Sequence, residues 1–112
     1  MDQLSAVIIT FNEEQNIGRC IDSVKQVADE IIVLDSFSTD RTIEIAREKG
    51  AIVKQQPFAG YIEQKNAALD LANFPYVLSL DADEALDERS IQSIKDAKSN
   101  FSAKAYTINR CT

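Results

Sequence analysis

Leu4-Ser5-Ala6-Val7-Ile8-Ile9-Thr10 is a nearly unbroken apolar run that passes straight into the polar turn Phe11-Asn12-Glu13-Glu14. A continuous run of this kind is the pattern of a strand covered on both faces. Asn12 reads as the cap of the helix that follows, in which Ile17, Cys20, Ile21, Val24 and Val27 recur at helical spacing and form one apolar face. The alternation continues downstream. Glu30 to Leu34 predicts a second buried strand ending at Asp35, and Ser36-Phe37-Ser38-Thr39-Asp40 is a turn rich in capping groups. Thr42 to Lys49 predicts a helix stopped by Gly50, and Ala51 to Lys54 a short third strand. After the loop marked by Pro57 and Gly60, Tyr61 to Ala72 predicts a third helix. Tyr76 to Leu80 predicts a fourth strand that runs into Asp81-Ala82-Asp83-Glu84, followed by a helix over Asp87 to Lys98 and a fifth strand over Ala103 to Asn109.

Repeated strand-helix-strand units give an α/β fold with a mostly parallel sheet and helices on both faces, because parallel neighbours need a crossover. In such sheets ligands bind outside the carboxyl ends of the strands. The three polar clusters, Thr10-Phe11-Asn12-Glu13, Asp35-Ser36 and Asp81-Ala82-Asp83-Glu84, all follow predicted strands and therefore fall at that edge. Asp81 and Asp83 flank a small residue at a strand end, so both carboxylates can converge on one hard cation such as Mg²⁺ or Mn²⁺. Asp35 can accept from a ribose hydroxyl or a base N–H, or else shape its own turn. Phe11 can pack on a flat base or against the core, and Lys65 with Asn66 are the basic and amide groups for phosphate or base contact.

Composition narrows the chemistry. The 112 residues suit one domain, with 12 basic against 18 acidic residues and a net charge of −6. That balance argues against a nucleic-acid partner, whose phosphates need a basic face. The chain has no histidine, which excludes Ser-His-Asp and Cys-His catalysis within it. Its two cysteines, Cys20 and Cys111, have no metal-ligand spacing, and Cys20 reads as a buried free thiol. Residues 1–10 lack the basic region of a secretory signal, and no apolar run is long enough to span a bilayer. The expectation is a cytoplasmic protein, with the full-length form peripherally associated with the inner face of the membrane. Neither Gly-x-Gly-x-x-Gly nor Gly-x-x-x-x-Gly-Lys-Ser/Thr is present, so phosphate would be held by metal and side chains.

Three blocks, Ser5 to Glu14, Ile31 to Thr42 and Leu78 to Glu84, resemble the family 2 glycosyltransferases of GT-A fold. The resemblance is closest to the bacterial branch that adds sugars to lipopolysaccharide core and other envelope glycans. It implies the Rossmann-like half that binds a nucleotide-diphospho-sugar, with a UDP-sugar favoured. Thr10 and Phe11, with the adjoining Asn12 and Glu13, and Asp35 match nucleoside-side positions, and Lys65 a basic position near the nucleotide. Asp81 matches the sugar- and ribose-side carboxylate, and Asp83 the ligand of the divalent metal that bridges the diphosphate. Thr10 stands where many members carry Pro, and Phe37 where many carry Gly. The implied reaction is inverting transfer to a saccharide or glycolipid acceptor.

Family members are usually much longer, with the acceptor-binding half and catalytic base after the metal motif. The resemblance therefore implies a base that lies beyond Thr112. Residues 1–112 read as a single truncated domain that binds donor and lacks that base, with an open sheet edge that favours self-association. Two other classes compete: a non-catalytic nucleotide-binding or interaction module, and a phosphatase of the haloacid dehalogenase type. The latter carries its Asp-x-Asp after the first strand, whereas the motif here follows the fourth.

Overall fold

Every residue of β1 (Leu4–Thr10) is buried, which places this strand at the centre of the sheet. The computed structural model describes residues 3–100 and 106–109. From β1 the chain continues through α1 (Ile17–Val24), β2 (Glu30–Asp35), α2 (Thr42–Glu48), β3 (Ile52–Gln55), α3 (Tyr61–Asp70), β4 (Tyr76–Asp81), α4 (Glu88–Asn100) and β5 (Tyr106–Asn109). The strand order is β3-β2-β1-β4-β5, and every pairing is parallel. The α/β alternation read from the sequence is thus present, with helix and strand ends shifted by a residue or two. Residues 103–105 of the expected fifth strand lie outside the described residues, as do Cys111 and Thr112, the residue beyond which the catalytic base is expected. No helix among the described residues is long and apolar enough to cross a membrane.

The side chains of β1 alternate between two cores. Leu4, Ala6 and Ile8 join Ile17, Cys20, Ile21 and Val24 of α1, Ala46 of α2, and Ile91 and Ile94 of α4 on one face. Val7 and Ile9 join Ile32, Leu34 and Ala68 of α3 on the other. Each large aliphatic side chain buried in this way contributes on the order of 1.5–3 kcal/mol. The apolar stripe of α1 is buried as its spacing requires, and Cys20 within it is a free thiol. Burial, reinforced by the negative charges of Glu84 and Asp83, pushes that thiol up to about 12.

The amino-terminal edge is pinned by Glu30. Its carboxylate accepts from Ser5 Oγ, from the Asn73 backbone N–H at 2.8 Å and from Asn73 Nδ2 at 2.9 Å, tying β1, β2 and the approach to β4 together. Burial alone would raise this carboxyl, but the hydrogen bonds from Ser5 and Asn73 outweigh it and hold Glu30 below its ordinary value of 4.5. A carboxyl depressed by folding adds stability that is complete above its unfolded value and is lost as pH falls through the folded one. Urea melts of wild type and Glu30→Gln should therefore differ most near neutral pH, with the wild type more stable. The gap should narrow at about pH 3; a gap that is constant with pH would remove the charge from this role.

Candidate functional site

The register of the sheet decides what meets at its carboxyl edge. Thr10 lies beside Asp35, and Ile9 beside Asp81. Beyond those positions the strands part, and a cleft of about 260 Å³ opens between the loops after β1 and β4. This is the reversal point of the strand order: α1 leaves β1 on one face, whereas α3 returns to β4 on the other. Of the residues expected at the site, Thr10, Phe11, Glu13, Asp81 and Asp83 line the cleft.

Three others do not, and each has a visible reason. Asn12 does not cap α1, whose first residue is Ile17. It takes φ +50°, and its side-chain oxygen instead accepts from the Thr39 N–H at 2.7 Å, while its own N–H donates to Ser38 Oγ at 2.8 Å. Asp35 is fully buried, with one carboxylate oxygen accepting from the Ser38 N–H at 2.7 Å and the other from the Ser38 hydroxyl. It shapes its turn, and the neighbour that reaches the cleft is Ser36. Lys65 lies one helical step beyond the cleft wall, its ammonium 5.3 Å from the centre of the Tyr61 ring.

The residues that sequence reading missed come mainly from the loop before α3 and from its first turn: Phe58, Tyr61 and Gln64. Gly60 makes this approach possible. It holds φ +132° at the head of α3, where a Cβ would also run into the Glu63 carboxylate. From there the Tyr61 hydroxyl donates to the Asp81 carboxylate, 2.9 and 3.1 Å from its two oxygens. Asp81 is further fixed by a tight turn, its N–H donating to Glu84 Oε1 at 3.0 Å and its carbonyl accepting from the Glu84 N–H at 2.9 Å. Glu84 is buried, and Asp83 between them stands exposed at the rim.

The carboxylates lining the cleft are those of Glu13, Asp81 and Asp83, and its lining includes no basic side chain. An anionic ligand would be repelled unless a cation accompanied it. The donors suit a hard cation, and no group of three or more acidic, His or Cys ligands forms a protein cage among the described residues. Two carboxylates at an open rim could hold one hard divalent cation without a full protein cage.

The glycosyl transferase family 2 model matches residues 5–105. The chain belongs to this family. An uncharacterized glycosyltransferase of Rickettsia felis is 48% identical over 88 residues, covering 79% of this chain and 31% of that protein. The lipopolysaccharide core biosynthesis glycosyltransferase LpsC of Rhizobium meliloti is 40% identical over 90 residues, covering 76% and 33% respectively. Among solved structures, glucosyl-3-phosphoglycerate synthase of Mycobacterium tuberculosis, in complex with Mn²⁺, UDP and glucosyl-3-phosphoglycerate, superposes with a TM-score of 0.64 at 32% identity. That match covers 72% of this chain and 33% of the synthase. The fold is that of the GT-A glycosyltransferases, and the chain spans about a third of the length of these relatives.

The departure at Phe37 has a cost. Where many family members carry Gly, Phe37 sits half-exposed at φ +60°, a conformation that disfavours side chains by roughly 1–2 kcal/mol. Phe37→Gly should relieve part of that strain and raise unfolding stability by up to about 1 kcal/mol, since glycine also gains freedom in the unfolded chain. Urea denaturation measures the change, and a loss of stability would mean that the Phe37 ring is supported by its surroundings.

Proposed function

We propose that this chain is the donor-binding part of an inverting glycosyltransferase that takes a nucleotide-diphospho-sugar, with a UDP-sugar favoured. The observation that carries the reading is the acidic cleft at the strand-order reversal, with Asp81 and Asp83 at its mouth and an aromatic side chain, Phe11, on its wall. Asp83 and Asp81 would hold Mg²⁺ or Mn²⁺ against the diphosphate. Such an ion, when bound, neutralises the charge that gathers on the departing nucleoside diphosphate. Asp81, oriented by Tyr61 and Glu84, faces the sugar and ribose side. Thr10, Phe11 and Glu13 bound the nucleoside side, while Asn12 and Asp35 hold the loops that present them.

In the full-length enzyme a carboxylate base would take the proton of the acceptor hydroxyl as its oxygen attacks the anomeric carbon opposite the leaving phosphate. Similarity to a lipopolysaccharide core enzyme favours a saccharide or glycolipid acceptor at the cell envelope. The base is assigned to no described residue, and its proposed place is in the sequence that follows Thr112 in a full-length family member.

Calorimetric titration of the chain with UDP, GDP, CDP and ADP, each with Mn²⁺ or with chelator, tests the reading. One nucleotide should bind with Kd at or below about 1 mM, an affinity of about −4 kcal/mol, and lose that binding on chelation. Asp83→Ala should abolish the gain from Mn²⁺. Metal-independent binding, or undiminished Mn²⁺ dependence in that variant, would remove Asp83 from the metal site.

A further inference from the structure

The Tyr61 hydroxyl reaches from α3 to the end of β4 and lies 2.9 and 3.1 Å from the two oxygens of Asp81. A hydrogen shared between both oxygens sits on the face of the carboxylate that a chelated cation would take. The ring meets a second charge, the Lys65 ammonium 5.3 Å from its centre, one turn further along α3. A cation on the ring face draws electron density from the phenol and strengthens its hydroxyl as a donor. Tyr61 thus offsets part of the negative charge at Asp81.

The two partners are held unequally. Asp81 is fixed in the sheet beside Ile9, and its N–H and carbonyl are both bonded to Glu84. Tyr61 is the first residue of α3, follows Gly60 at φ +132° and is 47% exposed. A half-exposed ring at a helix start turns between rotamers with little loss of buried area. When a third group competes for the Asp81 carboxylate, the hydroxyl is therefore the partner that moves. Its destination is limited by what else lines the cleft. The lining includes no basic side chain, and its hydroxyls belong to Thr10, Ser36 and Tyr61. Tyr61 is the most exposed of the three.

We propose, resting on the donor-binding reading above, that Tyr61 is an exchangeable hydroxyl. It bonds Asp81 until a divalent cation takes that carboxylate, and it then donates to an anionic oxygen of the diphosphate that accompanies the cation. The bond given up at Asp81 is replaced by one to the ligand, so the exchange leaves the phenol with a partner throughout. It also couples the two ligands, because the hydroxyl is released to the diphosphate only once the cation has replaced it. By linkage, each then strengthens the binding of the other.

Tyr61→Phe removes the hydroxyl and keeps the ring. Mg²⁺ alone should bind this variant at least about three-fold more tightly than wild type, because no hydrogen bond has to be given up. Pyrophosphate titrated at saturating Mg²⁺ should bind it at least about three-fold more weakly. Tyrosine fluorescence follows the exchange directly, since the chain has three tyrosines and no tryptophan, and a phenol that donates to a carboxylate is quenched. Mg²⁺ should raise the emission of wild type and leave that of Tyr61→Phe unchanged. Unchanged or weaker Mg²⁺ binding by Tyr61→Phe would overturn the proposal, making the hydroxyl a bystander or a support of Asp81. Tighter Mg²⁺ binding with unaltered pyrophosphate affinity would overturn it too, as would wild-type emission that ignores Mg²⁺. If Tyr61→Phe does not fold, Asp81→Asn must abolish the rise in emission, and a rise that persists there overturns the exchange. Wild type that binds UDP only with Mg²⁺, while Tyr61→Phe behaves identically, would remove this inference alone. Wild type that binds no nucleotide with Mg²⁺ would remove the donor-binding reading as well.

Discussion

β1 pairs in parallel with β2 on one side and with β4 on the other, and the geometry of the molecule follows from that double pairing. Parallel strands deliver all their carboxyl ends to one edge, so turns separated by up to about 70 residues of sequence become neighbours there. The direction of travel across the sheet reverses after β3, which sends α3 to the opposite face from α1 and α2. The crevice at the ends of β1 and β4 opens where α1 and α3 diverge to opposite faces of the sheet. No glycine-rich cradle is needed to make it.

What can enter the crevice is limited by charge. The chain carries a net −6, and the cleft wall holds three carboxylates and no basic side chain. A diphosphate brought there alone would meet like charge at close range in a partly desolvated setting, where screening is weakest. The Tyr61 hydroxyl offsets part of this by donating to Asp81, but one neutral donor cannot balance three acids. On the donor-binding reading proposed above, a nucleotide would therefore need an accompanying cation to enter the cleft.

The sequence exposes the fold more fully than the site. Strand and helix segments were legible because both faces of β1, β2 and β4 are covered and the apolar stripe of α1 is strictly periodic. The polar clusters after β1 and β4 were legible because chain order alone puts them at one edge. Three things were hidden. Asn12 resembled a helix cap, but its side chain has a stronger claim from the Thr39 N–H, a partner 27 positions away that no local pattern announces. Asp35 and Ser36 are adjacent, and which one turns outward is set by the Asp35–Ser38 bonds of the turn. Gln64 carries no charge and sits on a helix with weak amphipathic patterning, so the charged Lys65 beside it was the more conspicuous residue.

Hydrogen bonds join the loop after β1 to the loop after β2. The Asn12 N–H donates to Ser38, the Glu13 N–H to Thr42 Oγ1 at 2.9 Å, the Glu14 N–H to Asp40 at 3.2 Å, and Thr39 returns a bond to Asn12. Asp40 also accepts from the N–H and hydroxyl of Thr42 at the start of α2. Burial would raise its carboxyl, but these bonds hold it below the ordinary range. The two non-glycine residues with left-handed backbone among the described residues, Asn12 and Phe37, fall within this same seam. Strain of that kind persists only where surrounding bonds over-determine the conformation. The loops that bear Phe11, Glu13 and Ser36 are thereby ordered before any ligand arrives, and a small ligand loses correspondingly less affinity to ordering them.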